Sequence, residues 1–374
     1  MRKKIIFIML DIIFVSSFFF AADIQFKLKK DAVSHVPDNL IIPDLDSVVI
    51  DNEGNTFAFA GKDNGNTCFI LKFDKNLKYI KHFGRDGRGP SEFTTNLSSP
   101  INRLSLNDNG DIYIVDFNPL KLVVYDNNGN YKQDIMILKN YANLVGNLFR
   151  VMAFGKGHFC GLKFNWNSPV EALIFKFSPE QVKLKYSYES QMIQVGPSQY
   201  EDWSYGGITI LDADVNHMVI GESQIYKFMV YNSDGKKILE VFDENRVMKS
   251  FNEKEFEFIK NTFKPNPENT ALQNSINQQL MENPSLLNAI LKKIKNSKNV
   301  IADIKISGNW IYVFLVNEDI TEKKYPLEIF DLKGKIVRKG YLDKIPVKIH
   351  GKYFYFIERP DEDNPYIERY KLMD

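Results

Sequence analysis

An all-β fold, a six-bladed β-propeller of four-stranded antiparallel blades with a small helical insertion, is what three features of the sequence predict. The first is a recurring phrase in which an aromatic residue closes a strand-like run and a tight polar turn follows. It reads Phe73-Asp74-Lys75-Asn76, Tyr125-Asp126-Asn127-Asn128-Gly129, Phe177-Ser178-Pro179-Glu180, Tyr231-Asn232-Ser233-Asp234-Gly235 and Phe330-Asp331-Leu332-Lys333-Gly334. Between the aromatics at 73, 125, 177, 231 and 330 the gaps are 52, 52, 54 and 99 residues. Short-strand repeats of about fifty residues mark propeller blades. The second feature is a set of four strand signals within a repeat. The third is that the surplus in the last gap reads as helix.

The second repeat is the clearest. Ile101 to Leu106 reads as a strand, Asn107-Asp108-Asn109-Gly110 as a turn of residues that tolerate positive φ, and Asp111 to Val115 as the next strand. Lys121 to Tyr125 and Asn130 to Leu138 complete the blade. Its second and third strands are apolar on both faces, as a sheet covered by neighbours requires, and its fourth is more polar, as suits an outer edge. The same template fits Ser47 to Phe73, Phe149 to Phe177, Ile208 to Tyr231, Asp303 to Phe330 and Val347 to Leu372. The last repeat stops after three strands. The alternating segment Ile24-Gln25-Phe26-Lys27-Leu28-Lys29 is the expected fourth strand, paired with Tyr366 to Leu372.

Residues 250–299 break the pattern. Ser250-Phe251-Asn252-Glu253 reads as a capping box opening a helix with Phe256, Ile259 and Phe263 on one face, ended by Pro265 and Pro267. Leu272, Ile276 and Leu280 mark a second helix, and Asn283-Pro284 starts a third with Leu287, Ile290, Leu291 and Ile294 inward. Such short helices are unstable alone and must bury their stripes, so they are expected to cap the propeller near blades four and five.

The N-terminus carries Arg2, Lys3 and Lys4, an apolar run from Ile5 to Phe20, and small Ala21-Ala22 before Asp23. This is the pattern of a signal peptide over residues 1–22. It leaves a propeller over residues 23–374 and a periplasmic or extracellular location. Asp11 in the run and Phe19 depart from the pattern, and an uncleaved anchor is the competing reading. No later run is long enough to cross a bilayer. Cys68 and Cys160 fall in non-neighbouring repeats, so they read as buried free thiols. With 48 basic and 47 acidic residues and no polybasic run, nothing points to nucleic acid.

The segment Phe83-Gly84-Arg85-Asp86-Gly87-Arg88-Gly89-Pro90-Ser91-Glu92-Phe93 resembles the glycine-rich signature of six-bladed β-propellers related to NHL-repeat proteins, a family of exported bacterial proteins. The phrases at Tyr125 to Tyr131 and Phe330 to Ile336 are similar to that family's strand-turn-strand units. The likeness covers nearly all of the chain after the leader, apart from the helical insertion. It implies a binding or scaffolding propeller, and related folds include lyases and lactonases.

Topology sorts the connections. Turns after first and third strands lie on one face and are short. The loops after second strands and the links between blades lie on the other face and include every long one. Binding residues concentrate on long loops over a rigid scaffold, so function is expected on that second face, near the central channel. Arg85 and Arg88 suit an anionic group, with pairing to Asp86 or Glu92 as the competing structural role. Trp166, Trp203 and Tyr205 suit stacking on a sugar or peptide ring, with loop self-packing as the alternative. Asp116, Glu222 and Glu358 end the second strands of their blades at matching positions, with Asn165 and Asn317 equivalent, and such oxygens around a channel suit Ca²⁺. Turn-forming and salt-bridging roles compete with that reading. His158, His217 and His350 lie beside short turns on the first face. No Cys/His metal spacing, nucleophile elbow or P-loop occurs in the sequence. The leading expectation is an exported binding or protein-interaction scaffold for a cell-envelope protein, peptide or glycan. The alternative is a metal-dependent, lactonase-like hydrolase or lyase with its carboxylates around the channel.

Overall fold

The computed structural model describes residues 25–373 apart from 62–66, 95–102, 118–119, 137–147, 156, 166–167, 178–181, 191–208, 265–270 and 361–363. The signal-peptide expectation therefore lies outside the described residues, as do Trp166, Trp203 and Tyr205.

Six four-stranded antiparallel sheets form the body. Blade one is Leu45–Ile50, Thr56–Gly61, Cys68–Phe73 and Tyr79–Phe83, and blade two is Leu104–Leu106, Ile112–Phe117, Leu120–Tyr125 and Tyr131–Met136. Blade three is Leu148–Phe154, His158–Asn165, Ser168–Phe177 and Val182–Ser190, and blade four is Thr209–Ala213, His217–Glu222, Ile225–Asn232 and Lys237–Val247. Blade five is Ile301–Ser307, Trp310–Leu315, Tyr325–Asp331 and Ile336–Leu342. Blade six is Lys348–His350, Tyr353–Glu358 and Tyr366–Leu372, completed by Leu28–Val33 from the N-terminus. Each first strand contacts the first strand of the next blade, and that of blade six contacts that of blade one, so the ring closes.

Side chains on both faces of the inner strands are buried between blades. Phe57, Phe59, Phe93 and Ile114 fill the junction of blades one and two. Phe228, Ile304 and Phe330 fill that of four and five. The recurring polar phrase is a self-capped turn. Asp126 Oδ1 accepts from the amides of Asn128 at 2.9 Å and Asn130 at 2.8 Å, and Gly129 takes φ +74°. Asp331 repeats this with Lys333 and Lys335, both at 2.9 Å. In blade one the left-handed position holds Leu77 at φ 60°, which a side chain adopts at a cost. Its burial at 1 % exposure between blades six and one offsets that cost.

The closing strand differs from expectation by four residues. Leu28 pairs with Leu372 and Val33 with Glu368, whereas Gln25 and Phe26 run alongside Tyr341 of blade five. The reason is Phe26, which is 3 % exposed in the junction of blades five and six, with the Arg338 guanidinium 4.9 Å from its ring centre. Burying that ring beside blade five moves the paired stretch downstream. Further on, Ser34 bonds Ile367 and His35 bridges Lys78 of blade one. The N-terminal segment thus ties three blades rather than one.

The helical insertion holds α1 (Glu253–Thr262), α2 (Ala271–Glu282) and α3 (Pro284–Ile294). The first cap is Asn252 with Glu255 rather than Ser250 with Glu253. Ser250 instead bonds Asn296 at 2.9 Å in the two-stranded stalk that carries the helices. Asn283 caps α3 ahead of its first-turn proline, as the sequence indicates.

Candidate functional site at the mouth of the second face

The helices sit on the second face, because their stalk joins the outer strand of blade four to the inner strand of blade five. Phe251, Phe256, Ile259, Leu291 and Ile294 make a small core of their own, and Ile320 from the blade-five loop between second and third strands packs against it. Glu255, 1 % exposed, accepts from the Asn252 amide at 2.9 Å, the Ile320 amide at 3.2 Å and the Lys298 ammonium at 2.5 Å. One carboxylate thereby joins cap, stalk and blade. Lys254 bonds Asp319 at 2.8 Å on the same loop. The ammonium of Lys254, with the Thr321 hydroxyl and amide, holds the Asp319 carboxyl well below its ordinary range.

The carboxylates at the ends of the second strands take separate partners. Asp116 is fully buried and accepts from the Thr94 hydroxyl at 2.8 Å. Glu358 receives Lys344 on both oxygens at 2.8 Å. Glu222 is half-buried, and its ion-pair contact, Lys227, stands 3.9 Å away. Burial pushes its carboxyl above the ordinary value, only partly opposed by that ammonium. Asn317 is turned into its own loop, donating to the Asp319 carbonyl at 3.0 Å. Among the described residues no three His, Cys, Asp or Glu side chains are grouped as a metal site, so Asp116, Glu222 and Glu358 are not brought together as one.

Two arginines that the sequence reading missed flank the entrance of blade one. Arg103 of blade two, 4 % exposed, pairs with Asp46 at 3.1 Å and donates to the Thr94 carbonyl at 3.1 Å. Arg359 of blade six bonds Asp44 at 2.8 Å and the Leu45 carbonyl at 2.7 Å. Deeper in, Lys348 of blade six reaches past blade five to Asp212 of blade four at 3.1 Å and the Ala213 carbonyl at 2.7 Å. That ion pair lies across the channel between inner strands, so a ligand on the second face meets a floor there. Only the polar residue types at inner-strand positions hinted at these pairs, and their partners stand tens to hundreds of residues away.

The glycine-rich link has a structural core and an exposed tip. Phe93 is wholly buried against Phe59, ring centres 5.7 Å apart. Lys121 donates to the Gly89 carbonyl at 3.0 Å, and the Tyr125 hydroxyl to that of Ser91. Arg85 pairs with Glu92, with its Nε at 2.9 Å and an Nη at 2.7 Å, the structural alternative for that residue. The amide of Gly89, together with Arg85, draws the Glu92 carboxyl below its ordinary value. Arg88 is exposed at the tip. On the opposite face His158 is buried against the Phe154 ring, and His217 stands 3.7 Å from Asp214 of its own turn. Burial, and next the Lys348 ammonium, lower the basicity of His350.

With this geometry in view, residues 54–144 match the model of a family, DUF5128, described as a 6-bladed beta-propeller. The chain is a six-bladed β-propeller. A member of the DUF4221 family from Bacteroides vulgatus has a similar structure, with a TM-score of 0.50 and 12 % identity, over 93 % of this chain and 98 % of that one. A Bacteroides fragilis protein to which export is ascribed is similar at a TM-score of 0.52 and 10 % identity, over 94 % of this chain and 97 % of that one. At these identities the likeness concerns the fold alone. No curated protein matches the sequence. No described helix is long and apolar enough to cross a membrane.

Proposed function

We propose that this propeller is an exported binding or interaction protein whose ligand, a cell-envelope protein, peptide or glycan, sits on the second face beside the channel mouth. The observation that carries this reading is the walled entrance there. The helical cap is fixed to blade five through Glu255 and Ile320, and beneath its stalk Glu222 stands half-buried with a distant counter-ion. The Ser223 carbonyl accepts from both Val300 and Ile301, which holds Glu222 close to the start of blade five. A carboxyl with raised proton affinity on a fixed scaffold is a ready hydrogen-bonding group for a polar ligand. Arg88 at the tip of the glycine-rich link offers a second contact, for an anionic group. The apolar leader and the export ascribed to a similar propeller support the location.

Capture from a cell-envelope extract on immobilised protein tests the reading. One envelope component should be retained by the native chain and lost with Glu222→Ala or Arg88→Ala, while the variants keep the native melting temperature. Retention that neither change alters sinks this placement. Metal analysis of the same preparation addresses the hydrolase alternative, since stoichiometric Ca²⁺ lost with Asp116→Ala would move the reading to a metal site.

A further inference from the structure

We propose that the first-face rim of blade six is a docking surface for an anionic phospholipid bilayer, which would hold the propeller at a membrane with its second face turned away. Four lysines meet there. Lys29 and Lys371 are direct cross-strand partners, and Lys371 is in turn paired with Tyr353. Lys352 lies in the adjoining turn, its carbonyl accepting from Leu372, and the Lys27 carbonyl accepts from Met373. None of the four lysine side chains has a carboxylate partner among the described residues. The nearby acids are engaged elsewhere: Glu368 with Lys30, Asp31 with Arg369, and Asp74 with the amides of its own turn.

Like charges set directly opposite each other weaken a strand pair, so the Lys29–Lys371 pairing is a local cost that an anionic surface would relieve. Lysines also protect sheet edges from pairing, but Lys371 is one strand in from the edge and Lys352 is in a turn. The rest of the first face confines the contact to this side. Turns of blades one to four carry Asp51, Glu53, Asp108 and Asp234, whereas the blade-five turn adds Lys333 and Lys335. The bilayer is favoured over other polyanions by the chain's path, because Lys27 follows the apolar run Ile5 to Phe20 by only a few residues. A basic cluster beside such a run is placed for anionic headgroups. This surface is separate from the ligand face, and its test does not depend on that ligand.

Co-sedimentation of the protein, as the cell processes it, with phosphatidylglycerol-containing and pure phosphatidylcholine vesicles provides the test. Binding should require phosphatidylglycerol, weaken with added salt, and fall about thirtyfold in the double variant Lys29→Ala and Lys371→Ala. The pair Lys249→Ala and Lys264→Ala, the same charge change on the other face, should leave binding unaltered. Equal binding to both vesicles, or an equal loss in the second pair, overturns the proposal. So does binding to a soluble polyuronate without binding to vesicles.

Discussion

Two links between blades lie on the same face and are held in opposite ways. Residues 84–93 join blade one to blade two through one buried aromatic, Phe93, while Lys121 and Tyr125 of the next blade take loop carbonyls. Residues 248–300 join blade four to blade five and bring a core of their own, docked by Ile320 and by the buried pair of Glu255 and Lys298. A short link can be fixed by one anchor because few backbone groups need partners. A link with three helices cannot, since each helix must bury a stripe and satisfy its ends. The first link is thus an extension of the propeller core, and the second is a small body attached to it.

The largest effect should come from the anchor of the short link. Phe93→Ala empties a fully buried site between two blades and is expected to cost about 4 kcal/mol, read from urea unfolding followed by tryptophan fluorescence. Its effect should be global, because the ring belongs to the core of blades one and two. Glu255→Ala is expected to cost about 3 kcal/mol, since it leaves Lys298 buried without its carboxylate. Here the effect should be local, with amide exchange rising within residues 253–294 while the blade strands stay protected. If Glu255→Ala opens the blades as well, the cap is an integral part of the ring and the contrast fails.

What the sequence disclosed follows the same division. The Asx turns were legible because Asp126 and Asp331 cap their own turns, a short-range interaction written in five residues. The α3 start at Asn283-Pro284 was legible for the same reason. The cap of α1 was misplaced by two residues, because Ser250 and Asn252 are both good caps and the choice depended on Asn296, 46 positions away from Ser250. The closing strand was found in the right segment but in the wrong register, since burial of Phe26 against blade five outranked the alternation of residues 24–29. Arg103, Arg359 and Lys348 were not legible, because each has its partner in another blade. Asp116, Glu222 and Glu358 were correctly placed at matching strand ends, but residue type alone did not reveal that each has a different counter-group.

Smaller changes sharpen the contrast. At Gly84, φ is +75° and an added Cβ would stand 2.6 Å from the Phe93 ring. Gly84→Ala should therefore cost about 2 kcal/mol through strain and displacement of the anchor. A melting curve within a few tenths of a degree of the native one would show that the loop shifts freely around Phe93. The exposed ion pairs should matter less. Arg85→Ala in the short link and Lys254→Ala in the long one are each expected to cost under about 1 kcal/mol, and less in high salt. A loss several times larger in either would identify a role beyond surface pairing.

The smallest effect concerns Glu222, beneath the stalk of the long link. Burial raises its carboxyl above the ordinary value of 4.5, so the folded state favours the protonated form. The associated stability is complete below pH 4.5, the ordinary value, and is lost as pH rises through the higher folded value. Glu222→Gln does not titrate. Relative to the native chain it should therefore gain melting temperature as pH rises from about 4 toward neutrality, with no gain on the acid side. The cap enters through the stalk, whose Val300 and Ile301 amides are held by Ser223 next to this carboxyl. If the docked cap is what dries Glu222, loosening it with Glu255→Ala should shrink the gain. An undiminished gain in the double variant would assign the burial to blade four itself and separate the cap from the mouth of the site.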